Sequence, residues 1–227
     1  MKVIDIDGVE VFIEQTEKYI QINDIQGDEL IRLWKSLKEQ YPGYTVNLCF
    51  HDMLEPIEVL TTIGAEVLED CITMQVIPHE YVPYYDAEIT ALEKTDFSEF
   101  AMLHDTVNPA PDMYWTSSRI WDKWDKWRIF VIRTNGKITG YTLLLIALRD
   151  NSKGEIFCIE AESKTQREAL LSVAVRCAFE NDKEVVIRVV DRDNLCEMEE
   201  VVAVGFREIG FYIGYSIIIP DKSPTIG

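Results

Sequence analysis

Alternating apolar and polar residues mark two β-strands near the start of the chain. The segments Val9–Ile13 and Tyr19–Ile22 follow the period of two that places successive side chains on opposite faces of a sheet. A stripe of leucines and one tryptophan then predicts a helix from about Asp28 to Gln40, which Pro42 and Gly43 end. The chain therefore opens with two strands followed by an amphipathic helix.

The next segment continues this alternation of strands and helices. A strand is predicted from Thr45 to Phe50, and Pro56 suits the first turn of a second helix that Gly64 ends. A strand from about Cys71 to Ile77 follows, and Pro78 closes it. From the Tyr19–Ile22 strand onward, the predicted order is therefore strand, helix, strand, helix and strand.

After residue 86 the pattern predicts a longer series of elements. Asn135 and Gly136 between two apolar runs indicate a hairpin with a type I′ turn, and Asp96 suits the N-cap of a helix. The predicted elements are a strand 87–92, helices 96–106 and 115–126, hairpin strands 128–133 and 138–148, a strand 155–161, a helix 166–180, a strand 184–190, a helix 195–204, and strands near 207–210 and 212–219.

The two parts of the chain share an order of elements. The early segment and the late segment both read strand, helix, strand, helix and strand; the last helix ends at a glycine, Gly64 or Gly205, and the final strand is followed by Pro78 or Pro220. We therefore expect a truncated copy at 1–78, a linker at 79–86 and a complete domain at 87–220.

Charge narrows the function classes. The 227 residues carry a net charge of −18, which disfavours binding to nucleic acid or to an anionic membrane surface. It suits a cationic substrate such as an amine, a polyamine or a basic peptide, although the acidity could serve solubility alone.

Cysteine, histidine and hydropathy patterns place the protein in the cytoplasm. The five cysteines show no CxxC spacing, so we expect buried free thiols in a reducing compartment. The three histidines lack metal-ligand spacing, so no metal site is expected. Neither a signal peptide nor a membrane span is expected, because acidic residues interrupt the N-terminus and no apolar run is long enough.

The stretch from Asp193 to Phe206 resembles a motif of the GNAT superfamily of N-acetyltransferases. Asn194, Met198 and the pair Gly205-Phe206 fit its register, and the element order after residue 86 fits its fold. The resemblance implies an α/β (α+β) fold with a GNAT-like mixed central sheet flanked by helices, preceded by a smaller GNAT-like half-domain. With that half-copy in front, the chain resembles tandem GNAT proteins.

The resemblance implies acetyl-CoA as cofactor, bound at the start of the helix after the fourth strand, where unpaired amides and the helix dipole favour phosphate. The corresponding stretch, 162–169, contains no glycine. In one interpretation Lys164 and Arg167 neutralise the phosphates and amides from Arg167 to Leu170 hold them; in the other, Thr165 and Glu168 form a capping box. The implied cofactor-binding residues are Ile159, Ala161, Lys164, Arg167, Glu168, Ala169 and Asn194.

Acetyl transfer to an amine needs a base and an acid. The resemblance places a glutamate near the fourth strand, and Glu160 and Glu162 are the candidates. Their even spacing predicts that they share a face of the strand. Alternatively, both are ordinary solvated carboxylates. Many family members carry a tyrosine acid where this chain has Val201, and Tyr212 or Tyr215 could substitute for it.

Aromatic and acidic residues mark a candidate acceptor site. Trp115, Trp121 and Trp124 lie in the region where such enzymes bind their acceptor, and aromatic faces with carboxylates suit an ammonium group. Alternatively, Trp121 and Trp124 form the core stripe of a helix.

Two functions follow. The first is acetyl-CoA-dependent transfer of an acetyl group to an amine of a small molecule or basic peptide. The alternative is a catalytically inactive GNAT-like module for acyl-CoA sensing or protein interaction. A structural role within an oligomer such as a homodimer is a third possibility.

Overall fold

The computed structural model describes residues 2–25, 27–52, 58–84, 88–109, 114–148 and 150–221. Two short 3-10 turns, Lys94–Asp96 and Trp124–Lys126, supplement its regular elements. In chain order these are β1 (Lys2–Ile6), β2 (Val9–Glu14), β3 (Tyr19–Asn23), α1 (Gly27–Gln40), β4 (Thr45–His51), α2 (Glu58–Ile63), β5 (Glu66–Val76), β6 (Ile89–Ala91), α3 (Phe97–Val107), α4 (Ser117–Asp122), β7 (Trp127–Thr134), β8 (Lys137–Leu145), β9 (Lys153–Glu160), α5 (Lys164–Glu180), β10 (Val185–Asp191), α6 (Leu195–Ala203) and β11 (Arg207–Ile218).

The chain forms two compact units. Unit 1 combines the residues up to Ile72 with those from Gly210 onward, and unit 2 runs from Thr73 to Ile209. These limits differ from the predicted domains 1–78 and 87–220, which divide the chain by its repeated order of elements. That division stays a prediction. Residues 85 and 86 of the predicted linker lie outside the described residues.

Unit 1 is a mixed sheet with a helical layer. Strands β1, β2, β3, β4 and β11 are adjacent in that order; β3 and β4 are parallel, and β4 and β11 are antiparallel. The predicted inward stripe of α1 is confirmed, and its buried members are Leu30, Leu33, Trp34 and Leu37.

In unit 2 the strands β10, β9, β8, β7 and β6 are adjacent in that order and are again of mixed direction. The parallel pair β9 and β10 is joined by α5, whereas the other neighbours are antiparallel. The predicted hairpin turn is confirmed, because Asn135 and Gly136 both have positive φ, 53° and 78°. The expected α/β fold of mixed sheets flanked by helices is thus confirmed.

Several boundaries differ from the prediction. Strand β1 was not predicted, and β5 begins at Glu66, where all side chains up to Asp70, the apolar Val67 and Leu68 included, are exposed and do not alternate with polar ones. The two predicted final strands are one, β11, because Gly210 continues the extended chain instead of turning it. The predicted helix 115–126 is shorter, since α4 ends at Asp122 and a 3-10 turn follows.

The segment 79–84 packs closely within unit 2. The Tyr81 hydroxyl donates to the Ser172 carbonyl oxygen on α5 at 3.0 Å, and the Tyr84 amide donates to Ser172 Oγ at 2.8 Å. Gly205 has a φ of 101°, and a Cβ there would lie 2.0 Å from the Glu80 carbonyl oxygen. Glycine is therefore required at 205 by both conformation and space.

The predicted repeat of elements is present. The series β3, α1, β4, α2 and β5 matches β9, α5, β10, α6 and β11, and a glycine of positive φ, Gly64 or Gly205, follows α2 and α6. No described helix is both long and apolar enough to cross a membrane.

Candidate active site

Strands β9 and β10 separate partway along their length. Their parallel pairing covers four positions, from Lys153 opposite Val185 to Ile156 opposite Arg188. Both strands then continue, β9 to Glu160 and β10 to Asp191. The backbone edge of β9 beyond Ile156 thus faces an opening in unit 2.

The corresponding strands of unit 1 do not separate. Strands β3 and β4 pair from Tyr19 to Asn23, and the Asp24 amide still donates to the Cys49 carbonyl oxygen at 2.8 Å. Asp24 also accepts from the His51 amide at 3.0 Å, which holds the strand ends together. Of the two repeated strand pairs, only that of unit 2 is open.

Arg188 lies at the point where β9 and β10 diverge. Its Nη1 donates to the carbonyl oxygens of Ile156 at 3.1 Å and Phe157 at 3.0 Å. Its Nε donates to Glu197 Oε1 on α6 at 2.7 Å. This largely buried ion pair ties both strands to α6 and stabilises the start of the opening.

A β-bulge at Phe157 changes which side chains share a face of β9. Leu143 pairs with Cys158 but Leu144 pairs with Ile156, so Phe157 has no opposite residue on β8. A bulge of this kind shifts the side-chain alternation by one position.

The bulge places two carboxyl groups on one face. Gly154 lies against Ala178 of α5, so Glu155 points to the opposite face, where α3 and α4 pack. Beyond the bulge, Cys158 belongs to the core on that same face, and its Sγ lies 3.9 Å from Glu160 Oε1. Glu155 and Glu160 therefore face the same side of the sheet.

Both carboxyl groups have raised pKa values. Burial raises the pKa of Glu155 to about 7, although the nearby Arg188 guanidinium lowers it in part. Burial also raises the pKa of Glu160. A carboxyl group with a pKa near 7 is suited to general-base catalysis at neutral pH. Sequence reasoning identified Glu160 but missed Glu155, because strand parity without the bulge assigns them to opposite faces.

A buried polar cluster supports this face. His104 Nε2 lies 2.7 Å from the Trp115 carbonyl oxygen, which can only accept, so this nitrogen carries a proton. In the neutral ring, Nδ1 then accepts from the Tyr141 hydroxyl at 2.8 Å. The Tyr141 oxygen in turn accepts from Asn108 Nδ2 at 2.8 Å and lies 3.6 Å from Cys158 Sγ. The cluster links α3 to the strand that carries Glu160.

The start of α5 differs from both predicted forms of the cofactor loop. The helix begins at Lys164, and Ser163 is its N-cap, with Oγ accepting from the Gln166 amide at 3.3 Å. The predicted capping box of Thr165 and Glu168 is therefore wrong. Amides from Arg167 onward lie within the helix, so they are already hydrogen-bonded there. Among the described residues, the amides of Lys164 and Thr165 have no hydrogen-bond partner.

The two cations predicted to bind phosphate are paired with glutamates of α6. Lys164 Nζ donates to Glu199 Oε2 at 3.0 Å, and this pair is exposed. Arg167 Nε donates to Glu200 Oε2 at 2.9 Å and its Nη2 to Oε1 at 2.6 Å, while Nη1 donates to the Ala161 carbonyl oxygen at 3.1 Å. Glu200 is 2% exposed, so breaking this pair would cost about 3–5 kcal/mol.

The other predicted cofactor residues are dispersed. Ile159 pairs with Thr142 on β8, whereas Glu168 and Ala169 are buried along α5. Asn194 is the N-cap of α6: its Oδ1 accepts from the Glu197 amide at 3.2 Å and its Nδ2 donates to Glu197 Oε2 at 3.0 Å. Asn194 thus has a capping function, and its role in cofactor binding stays a prediction.

Two other predicted catalytic groups, Glu162 and Tyr212, have surroundings different from those of Glu160. Glu162 follows β9 and is exposed. Tyr212 belongs to unit 1, where its hydroxyl donates to Glu69 Oε2 at 2.6 Å. Burial and the neighbouring Glu69 raise the pKa of Tyr212. Its role as the acid stays a prediction.

The predicted acceptor tryptophans fall into two groups. Trp121 and Trp124 pack on Phe97, and Lys94 Nζ lies 5.6 and 5.7 Å from their ring centroids. Trp115 packs against Trp127 and Phe157 on the β9 side and has the Lys123 ammonium 5.0 Å from its ring centroid. The ring faces are thus already partnered by cations of the chain.

None of the five cysteines forms a disulfide, as expected, but they are not all buried. Cys71 and Cys158 are buried, Cys49 and Cys177 are half-buried, and Cys196 is exposed on α6. Burial raises the pKa of Cys49 to about 12 and that of Cys158 to about 11, so neither thiol is a ready nucleophile.

Comparisons with known proteins agree with this architecture. No protein-family model matches the sequence, and no curated protein matches it significantly. Among solved structures, a conserved protein of unknown function from Staphylococcus epidermidis has a TM-score of 0.71 and 12% identity, covering 95% of this chain and 93% of that one.

Two further structures are acetyltransferases or relatives. The GCN5-related N-acetyltransferase of Kribbella flavida has a TM-score of 0.67 and 12% identity, covering 99% of this chain and 91% of that one. A tandem GNAT protein from the clavulanic acid biosynthesis pathway has a TM-score of 0.63 and 10% identity, covering 95% and 79%. The chain therefore has the fold of the GNAT N-acetyltransferases.

Proposed function

We propose that this protein is an acyl-CoA-dependent N-acyltransferase, with its reaction site in unit 2, and that it transfers an acetyl group to an amine. The observation that carries the proposal is the opening between β9 and β10, with Glu160 on the unpaired part of β9 and Glu155 on the same face, one position before the last paired residue; both carboxyl groups have raised pKa values. The GNAT fold of the chain agrees with this reaction class.

The residues present fit the pantetheine part of acyl-CoA. The edge of β9 beyond Ile156 has no backbone pairing to β10 within the described chain. The two amide groups of an extended pantetheine arm can pair with such an edge, as a peptide strand does. The free amides of Lys164 and Thr165, at the positive end of the α5 dipole, lie at the end of the connection that leaves β9.

Bound in this way, the acyl thioester supplies an activated acyl group. Glu155 accepts a proton from the acceptor amine, because its pKa of about 7 leaves it ionised in a large share of molecules at neutral pH. Glu160, on the same face, is a second carboxyl group, whose oxygens can accept hydrogen bonds from an ammonium group before deprotonation. The net charge of −18 favours the same class of acceptor, a cationic small molecule or basic peptide.

A second candidate is a non-catalytic acyl-CoA-sensing or interaction module. The pairing of Lys164 with Glu199 and of Arg167 with Glu200 favours it, because both cations next to the expected phosphate position are engaged. This module would bind acyl-CoA or a partner protein without catalysing acyl transfer.

One experiment separates the two. The purified protein is mixed with acetyl-CoA and a panel of amines and basic peptides, and the release of free thiol is followed together with the mass of each acceptor. Acetylation of an acceptor that is lost in Glu155→Gln supports the enzyme. Binding of acetyl-CoA by calorimetry without acetylation of any acceptor contradicts it and supports the sensing module.

A further inference from the structure

We infer that the site recognises the acyl donor through its pantetheine arm, and that the phosphate-bearing nucleotide end of CoA contributes little to binding. This inference rests on the proposed acyltransferase function and adds to it the chemical class of the donor. It follows from the way α6 holds the cations at the start of α5.

Arg167 is fixed by three partners. Its Nε and Nη2 bind both oxygens of Glu200, and its Nη1 binds the Ala161 carbonyl oxygen. Glu200 is 2% exposed, so turning Arg167 toward a phosphate would leave a buried carboxylate without its counter-ion, which is strongly unfavourable. Arg167 therefore stays with Glu200 when a donor binds.

The surrounding charges oppose phosphate. Lys164 is paired with Glu199, and Glu168 and Glu200 also act on its charge. Glu197 and Glu200 act on Arg167. Three cations, Lys164, Arg167 and the Arg188 that is paired with Glu197, thus face four carboxylates at this end of α5, so the local field attracts a pyrophosphate less than an unopposed helix start does.

Pantetheine meets no such opposition. It is uncharged, and its amides need only the backbone edge that β9 exposes beyond Phe157, whose own carbonyl oxygen is taken by Arg188. Arg188 keeps this edge apart from β10 through its bonds to the carbonyl oxygens of Ile156 and Phe157 and to Glu197. The backbone edge for the pantetheine arm therefore stays open, whereas the cations at the start of α5 are neutralised by carboxylates.

The test compares CoA and pantetheine by calorimetric titration of the full chain. We expect dissociation constants within about tenfold of each other, and weak dependence of CoA binding on salt. CoA binding more than about a hundredfold tighter than pantetheine overturns the inference alone. Binding of neither compound at millimolar concentration overturns the proposed function and the inference with it.

A pair of variants locates the cause. Glu200→Gln removes the charge that holds Arg167 while keeping a similar shape, so we expect CoA to bind about tenfold tighter and pantetheine to bind as before. Glu199→Gln, the control on the exposed pair, should change CoA affinity less. An unchanged CoA affinity in a folded Glu200→Gln variant contradicts the inference, and the wild-type comparison decides it if that variant does not fold.

Discussion

Glu155 and Glu160 lie on the same face of β9, although they are separated by an odd number of positions. The bulge at Phe157 causes this, because it removes one residue from the alternation of side chains. The two groups share the α3 and α4 side of the sheet with the buried hydroxyl of Tyr141. Each has a raised pKa, and they are the main acid–base candidates of unit 2.

The first prediction concerns the pH dependence of turnover. A base with a pKa of about 7 must lose its proton to act, so kcat/KM is expected to rise with pH and to level off above about pH 7. Glu155→Gln should lower turnover by about 10²–10⁴-fold and remove this rise. The exposed Glu162→Gln is the control; a wild-type profile in Glu155→Gln would exclude Glu155 as the base.

The second prediction concerns Glu160. Glu160→Gln is expected to lower turnover with little change in cofactor affinity, because the side chain lies on the α3 and α4 face of β9, beside Cys158. Steady-state kinetics measure the first effect and calorimetry with CoA the second. Unchanged turnover would remove Glu160 from the mechanism.

The third prediction concerns stability. The folded-state pKa of Glu155 lies above its ordinary value. The contribution of this group to the free energy of unfolding is therefore fully present below pH 4.5 and is lost as the pH rises through about 7. Glu155→Gln should therefore raise the unfolding free energy at pH 8 by about 1–3 kcal/mol and have little effect at pH 4. Denaturant titrations at both pH values measure this; an equal effect at the two values contradicts the raised pKa.

The fourth prediction separates two roles of Asn194. Asn194→Ser keeps an oxygen that can cap α6 and adds no charge beside Glu197, whereas Asn194→Ala loses the cap and should cost about 1 kcal/mol of stability. If the side-chain amide also binds the CoA arm, Asn194→Ser should weaken CoA binding while the melting temperature stays closer to wild type than that of Asn194→Ala. Equal CoA affinity in Asn194→Ser and wild type would leave Asn194 with the capping function alone.

The fifth prediction compares two glycines that follow helices. Gly64 has a φ of 79° with nothing within 4 Å of an added Cβ, while Gly205 has a φ of 101° and the Glu80 carbonyl oxygen 2.0 Å away. Gly64→Ala should cost about 1–2 kcal/mol from conformation alone. Gly205→Ala should cost about 3–5 kcal/mol, because a steric clash adds to the strain. If chemical denaturation shows that both variants lose a similar free energy of unfolding, segment 79–84 moves away from the added Cβ at no energetic cost, which contradicts the prediction.

Much of the fold followed from local patterns. The leucine stripe of α1, the Asn135-Gly136 turn and the end of α6 at Gly205 depend on residues close together in the chain, and the structure confirms all three. Strand β1 and the start of β5 were missed, because exposed strands there lack a strong apolar alternation.

The candidate site was predicted less completely. Local spacing placed Glu160 on the correct strand, but it left two interpretations of the start of α5 open. One assigned the cap to Thr165 instead of Ser163, and the other left Lys164 and Arg167 available for phosphate. Their partners, Glu199 and Glu200, are more than thirty positions away in the chain, so no local pattern reveals the pairs.

By itself, the sequence determined where most helices and strands form, since periodicity, caps and turns act over a few residues. Only the tertiary structure decided that β9 has a bulge and leaves β10 after Ile156, that Tyr212 belongs to unit 1, and that α6 neutralises the start of α5. These features depend on contacts between distant segments, whose energies of burial and charge pairing have no counterpart in the local order of residues.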